Sequence, residues 1–472
     1  MVDVSLGIIG IIVMDSTSQQ APKTGWVTRA LEGAPSFVFI LFAIFASFST
    51  YFCMYAFRKP FAAATFEGQQ FMSSAVELKT AIVISQILGY ALSKYLGIKF
   101  CSEITQRRRG IMLIGLIFAA QLSLVAYGFM PGNLKVLAIF FNGLPLGMVW
   151  GLVVWYLEGR RSSELLLAGL SCSFIVSSGI VKDFGRAMMA GDIAGWWQSV
   201  PVVGGVIAPQ LTSVSEGWMP AVVGLHFFPL FLIAVWMLNQ LPTPSVEDVQ
   251  ARSERTTMDG ARRINFVREF FGALTLLCVA YLFLTAYRDF RDNYQVEILG
   301  DLGYPYEDNK AIITKAETFV AFGVIACLAL LNLIKNNRWG LIGAYGVMIG
   351  GVLLLGGSTL ALEIGLINGF WWVTLTGLGS YLAYVPYGSV LFDRLMATTK
   401  VVGTAVFAIY LADAIGYTGS VGVQLYKDLA HGEMSRLAFF KGYTWFMAGL
   451  GVFCLVSSCF LIVRKVDRMN QA

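Results

Sequence analysis

The chain has 472 residues, of which 57% are apolar and only 13% charged, with a formal net charge of +5 and a mean hydropathy of +0.68. Soluble domains carry about 45–50% apolar residues with glycine counted, and here 49 glycines come on top of the apolar share. One water-soluble core cannot hide that much apolar surface, which argues against a soluble enzyme, a disordered chain or a nucleic-acid-binding protein and points to an all-α, polytopic membrane protein.

The first apolar run, Leu6 to Met14, is too short to span a bilayer and lacks a basic lead-in, so it does not read as a cleavable signal peptide. The segment Asp15 to Gly33 is polar. About twelve later runs are long enough to cross roughly 30 Å at 1.5 Å per residue. The expected spans are 36–66, 77–97, 111–130, 134–157, 165–187, 218–240, 269–293, 311–334, 340–361, 368–392, 401–426 and 439–463. The first is the longest of the early spans and should tilt or protrude.

Between the sixth and seventh spans, Leu241 to Phe266 is polar and contains Pro242 and Pro244. The expected organisation is an N-terminal cytosolic segment 1–35, a six-helix bundle 36–240, a cytosolic linker 241–268, and a second six-helix bundle 269–472 with a short tail. The G-x-x-x-G spacings Gly143/Gly147 and Gly346/Gly350 predict close helix packing. Pro145, Pro229 and Pro386 predict kinks, and Trp150, Trp155, Trp371 and Trp372 read as interface anchors. The seven cysteines show no C-x-x-C pair and read as reduced core residues, and two histidines cannot build a His-rich metal site. No cofactor or metal is expected.

Basic residues set the expected orientation. With the N-terminus inside, 20 of the 34 Lys and Arg residues fall on inside segments, eight outside or at outer helix ends, and six within helices. Lys79, Arg291 and Arg436 are among the eight. This bias places both termini in the cytoplasm and the chain in the inner, or plasma, membrane.

The six within helices are Arg58, Lys59, Lys94, Lys182, Arg186 and Arg288. A charge in the hydrocarbon costs about 2.5–3.5 kcal/mol even on the lenient insertion scale, so such residues face a cavity or a partner. Lys59 and Arg186 fit snorkelling to the interface; Arg58 and Arg288 lie too deep for it. Tyr51, Tyr55 and Arg58 share one helix face, as do Gln86, Tyr90 and Lys94; Tyr281, Thr285, Arg288 and Asp292; and Lys310, Thr314 and Glu317. Such stripes of charge, hydroxyl and ring suit a wet cavity, although a structural salt-bridge network has the same pattern.

Arg58 and Arg288 stand on the first helix of each half. Two guanidiniums meeting in a central cavity repel unless an anion comes between them, and a phosphoryl group fits the bidentate fork. For the carboxylates Asp183, Asp289, Asp292, Glu317 and Asp413 the choice lies between proton site and ion pair. The pairings considered are Asp289 or Glu317 with Arg288, and Asp183 with Lys182 or Arg186. Asp413 has no basic neighbour in sequence and is the best proton candidate.

Six helices, a hydrophilic linker and six more helices is the layout of the major facilitator superfamily, in which two halves rock about a midplane site. Tyr51-Phe-Cys-Met-Tyr55-Ala-Phe-Arg58-Lys59-Pro-Phe61 resembles the Y-x-x-x-Y-x-x-R-K-x-F stretch of the organophosphate:phosphate antiporters. Gly89-Tyr90-Ala-Leu-Ser-Lys94 resembles their G-[YF]-x-x-S-K. Tyr287-Arg288-Asp289, Glu317, and Val402-Gly-Thr-Ala405 followed by Gly416-Tyr417 are similar to their later motifs. The resemblance implies phosphate binding by Arg58 and Arg288, a path lined by Lys94, and alternating access. The family's helix-five histidine has no counterpart here, and Lys335-Asn-Asn-Arg338 lacks its acidic gate residue, so the substrate need not be a glycerol or hexose phosphate.

The sequence therefore predicts a monomeric, non-enzymatic secondary transporter of a small organic anion, with a phosphorylated one expected. Substrate binding is assigned to Arg58, Arg288, Lys94, Tyr55, Tyr51, Tyr90, Lys182 and Glu317, and coupling or salt bridging to Asp413, Asp289 and Asp183. The other reading is a proton-coupled symporter of a neutral solute in which the basic residues are structural. No H-E-x-x-H, G-x-S-x-G or intramembrane Asp dyad supports an enzyme.

Overall fold

A computed structural model of the chain describes residues 25–103, 106–157, 160, 162–192, 213–244, 248, 265, 267–399 and 405–471. Leu6–Met14, Glu158, Arg161, most of the linker and the Val402–Thr404 motif lie outside the described residues.

Among the described residues, twelve long helices follow one another: α1 Ser36–Arg58, α2 Leu78–Glu103, α3 Gln106–Phe129, α4 Lys135–Leu157, α5 Ser163–Ala190, α6 Met219–Asn239, α7 Phe271–Asn293, α8 Ile312–Asn332, α9 Asn337–Glu363, α10 Gly369–Ser389, α11 Ala405–Ala430 and α12 Arg436–Gln471. Local chemistry sets several ends. Asn336 and Asn368 cap α9 and α10 by accepting from the Trp339 and Trp371 amides at 3.2 and 3.1 Å. Gly191 closes α5 in the left-handed region at φ +81°. The first span is shorter than expected. It stops at Arg58 because Pro60 cannot continue an α-helix, and Pro60–Ala63 turns as a 3-10 segment instead.

Among the described residues, nine of these helices are long and apolar enough to cross a membrane by length and composition. Their exposed faces carry large apolar side chains, such as Phe37, Leu41 and Phe45 on α1 and Phe453 and Phe460 on α12, as lipid contact requires. The chain is a polytopic, all-helical membrane protein.

The helices form two groups, each with its own large hydrophobic core, one built mainly from α1–α6 and one from α7–α12, and a smaller third cluster joins Ile175 of α5 to Val320 and Val324 of α8 and Tyr381 of α10. The packing repeats with an offset of six helices. In the first half α1 packs on α5 and α6, α2 on α4, and α3 on α4 and α6; in the second, α7 packs on α11 and α12, α8 on α10, and α9 on α10 and α12. Across the halves, α5 meets α8 and α2 meets α11, again a related pair of contacts.

Glycine makes the tightest approaches. A Cβ on Gly143 would lie 2.5 Å from the Gln86 carbonyl, and one on Gly147 1.9 Å from Ser93 Oγ, so this pair lets α4 close on α2 as expected. Gly346 and Gly350 do not pack: a Cβ on either would meet nothing within 4 Å. Their neighbour Gly351 makes the α9–α10 approach instead, opposite the carbonyl of Gly379 at 2.5 Å. The tryptophans also divide. Trp155 and Trp371 are exposed in part, but Trp372 is fully buried and donates to Thr359 at 2.9 Å, and Trp150 packs edge-on against Tyr51.

Candidate functional site

Arg58 ends α1 with its carbonyl accepting from Gln86 at 2.9 Å, which fixes its depth beside α2. Its guanidinium lies over the Tyr90 ring at 4.2 Å and near Tyr55 at 5.6 Å. The side chain is 8% exposed, and Nε has no hydrogen-bond partner. Arg288 on α7 repeats the pattern: its guanidinium lies over Tyr384 at 4.2 Å, and its Nε is also without a partner. Arg288 differs in having an acid, Asp289, at 2.7 Å, and Asp289 in turn accepts from Ser420 at 2.7 Å. Tyr55 stands within electrostatic range of both guanidiniums, and Tyr51 packs on Tyr55 with ring centroids 5.7 Å apart.

Lys94 comes next along α2. It pairs with Asp413 of α11 at 2.8 Å, and Tyr281 of α7 donates to the other Asp413 oxygen at 2.6 Å. Lys94 lies 4.9 Å from the Tyr417 ring and 5.5 Å from the Tyr90 ring, so Tyr90 is shared by Lys94 and Arg58. Asp413, with no basic residue near it in sequence, thus has a basic partner supplied by the fold.

The opposite side of Arg58 and Arg288 is sealed by ion pairs. Asp292 of α7 takes Lys59 at 2.6 Å on one oxygen and Lys182 of α5 at 2.9 Å on the other, with Ser178 donating as well. Lys182 also donates to Gln295 at 2.7 Å, and Lys59 to Asn293 at 2.8 Å. Further out, Lys79 pairs with Glu297, Glu77 with Arg436 at 2.6 Å, and the Asp183 carboxylate accepts from the Thr314 amide at 2.7 Å. Asp192 takes Lys310 at 2.8 Å at the rim. Among the described residues, the ion pairs between the halves lie at this closed end, with Lys94–Asp413 as the exception. Beyond the Asp292 latch a cavity of about 590 Å³ opens among Arg186, Glu297, Asp301, Tyr304, Tyr306 and Glu307.

Outside the membrane-spanning segments, two carboxyls hold depressed pKa values. Partial burial pushes Glu77 up, but the Arg436 guanidinium and Lys427 outweigh it and keep the carboxyl below its ordinary range. The Lys310 ammonium and the Tyr306 hydroxyl, both hydrogen-bonded to Asp192, do the same there.

Several sequence expectations are corrected. Glu317 does not face Arg288; it pairs with Arg291 at 2.9 Å and accepts from Gln295 at 2.8 Å, with 1% exposure. Arg291, Lys79 and Arg436 do lie at helix ends, as expected, and are buried there in ion pairs. Lys182 belongs to the Asp292 latch, not to the group around Arg58. Lys59 and Arg186 do not snorkel: Lys59 is on Asp292, and Arg186 is 3.5 Å from Asp183 and lies over Tyr306. Tyr381 and Tyr384, the rings beside Arg288, were missed, although with Tyr387 they form a Tyr-x-x-Tyr-x-x-Tyr face on α10.

The two-bundle arrangement now has a family attached. A family described as "Family of unknown function (DUF5690)" matches residues 60–213 and 202–465. The chain belongs to this family. No curated protein matches the DUF5690 chain. Its fold is the major facilitator fold. It superposes on a D-xylose-proton symporter with a TM-score of 0.57 and 14% identity, over 90% of this chain and 97% of the other. It also superposes on a bacterial homologue of the human lysosomal transporter Spinster, in an inward-facing and occupied conformation, with a TM-score of 0.56 and 13% identity, over 93% and 98%. At such identities the DUF5690 chain shares the fold with these proteins, and its chemistry has to be argued from its own residues.

Proposed function

We propose that the protein is a secondary transporter that moves a small organic anion by alternating access, and that the anion carries a phosphoryl group. The observation that carries this reading is Arg58: a buried guanidinium with no carboxylate beside it among the described residues, an unpartnered Nε, and a second arginine reached through Tyr55. A buried cation without a counterion is costly, and an anion bound between Arg58 and Arg288 would relieve that cost. Phosphoryl oxygens match the fork of a guanidinium, and the residues around Arg58 and Lys94 resemble the motifs of the organophosphate:phosphate antiporters. Tyr51, Tyr55 and Tyr90 shape the wall, and Lys94 adds a point charge. On the basic-residue bias the protein sits in the plasma membrane with both termini cytoplasmic, so the Asp292 latch closes the outer end and the site opens inward.

The Arg288–Asp289 contact favours the second reading, a neutral solute with Arg288 structural. A thermal-shift screen of purified protein against phosphate, sugar phosphates, phosphonates, carboxylates and free sugars separates the two, because a ligand stabilises by RT ln(1 + [L]/Kd). Anion stabilisation that disappears in Arg58→Lys supports the anion site; stabilisation by free sugars alone would sink it.

A further inference from the structure

We propose that Lys94 and Asp413 form a charge-exchange site that couples a dianionic substrate to one proton. This rests on the anion reading above and goes beyond it by assigning the coupling ion and the charge state of the cargo.

Four observations lead there. Lys94–Asp413 is the inter-half ion pair set apart from the closed end, about 24 Å along α2 from Leu78 at 1.5 Å per residue. Its members stay 20% and 17% exposed, unlike Lys182 at 0%, so water and solutes reach them. Lys94 shares the Tyr90 ring with Arg58, which puts both cations around one bound anion. Among the described residues, the groups that face Asp413 are Lys94 and Tyr90 of α2, Tyr281 of α7, Tyr384 of α10 and Tyr417 of its own helix. Lys94 is thus the one cation in that set.

The charge count follows. In the empty site Lys94 cancels Asp413 and Arg288 cancels Asp289, which leaves Arg58 unmatched. A monoanion completes that balance alone. A dianion brings a second negative charge that only Lys94 can meet, and in doing so it draws the ammonium off the Asp413 carboxylate. That carboxylate, left without its cation, then takes a proton relayed through cavity water from the bulk solution: one O–H bond forms on Asp413 and one breaks in the buffer acid that supplies it, with no redox change. The Tyr281 hydroxyl stays on the other oxygen. Empty and loaded sites then differ by no more than the charge Arg58 carries. Release reverses the step: the anion leaves, Asp413 gives up its proton, and Lys94 returns. Because Lys94–Asp413 joins α2 to α11, the same exchange unties the halves at the open end only when cargo and proton are both present.

Calorimetric binding in two buffers of different ionisation enthalpy counts the protons taken up per ligand. The probes are phenyl phosphate at about pH 8, where a phosphomonoester with a second pKa near 6 is dianionic, and methyl sulfate, a permanent monoanion. The expected result is proton uptake with phenyl phosphate, none with methyl sulfate, and none with either in Asp413→Asn. Phenyl phosphate binding without proton uptake, or unchanged uptake in Asp413→Asn, overturns the coupling while leaving the anion site standing. Should neither anion bind the wild-type protein, both the anion reading and this inference fall. If Asp413→Asn does not fold, the contrast between the two anions on the wild-type protein decides alone.

Discussion

Asp292 of α7 meets Lys182 of α5 at 2.9 Å, and because Lys59 of α1 holds its other oxygen at 2.6 Å, one carboxylate has two ammonium partners from the opposite half. Each half has its own large core, and a smaller apolar cluster joins Ile175 of α5 to Val320 and Val324 of α8 across the halves, so ion pairs of this kind add a polar tie at the closed end to that apolar contact.

Removing that carboxylate leaves two buried ammonium groups facing each other. Breaking a buried pair by deleting one partner costs about 3–5 kcal/mol. Asp292→Ala is expected to lower the melting temperature and to raise the reactivity of a cysteine placed at Gly191 toward a membrane-impermeant thiol reagent. Unchanged reactivity and stability would show that the latch does not hold the closed end.

The rim pair gives a pH dependence of known sign. Glu77 has a depressed pKa while it sits against Arg436. Its contribution to closure is therefore complete above the ordinary carboxyl range, near about 4.3, and fades as the pH falls through the depressed value. A spin-label distance across the closed end should stay constant between about pH 5 and 8 and broaden only below the ordinary carboxyl range. In Glu77→Gln the acid response should weaken, leaving the part that comes from the Asp192–Lys310 pair.

Arg291 and Glu317 make a different case, because both side chains are 2% exposed and both belong to the second half. Glu317→Ala alone should destabilise by about 3–5 kcal/mol. The paired change Arg291→Met with Glu317→Leu should recover most of the stability, measured by thermal unfolding, and should leave ligand-induced stabilisation as it was. Loss of ligand response in the paired variant would return Glu317 to the binding site.

The two G-x-x-x-G motifs should behave oppositely. Gly147→Leu pushes a side chain into Ser93 and the Tyr90 carbonyl, an overpacking cost of about 1–3 kcal/mol. Gly346→Leu faces open space and should stay within about 0.5 kcal/mol of the parent. Thermal unfolding in the same detergent compares the two directly.

Helix positions were legible because apolar runs report burial in lipid whatever their neighbours are, and the basic residues stood out for the same reason. Partners were not. Lys94 and Asp413 lie 319 positions apart, and helical periodicity says which residues share a face without saying which helix that face meets. Arg291 counts among the residues outside or at outer helix ends by its position in the sequence; only packing against Glu317 and the Val373 carbonyl shows its side chain to be interior. The early stop of α1 was legible, since Pro60 follows Lys59 directly, but the apolar run continuing through Phe61–Ala64 masked it.

That stop has a mechanical result. Arg58 and Lys59 are consecutive, yet one lies on Tyr90 and the other on Asp292. Any torque exerted on the first guanidinium reaches the ion pair that ties the closed end through a single peptide unit. No relay of intervening side chains is required: two neighbours on one backbone face opposite sides of the same wall.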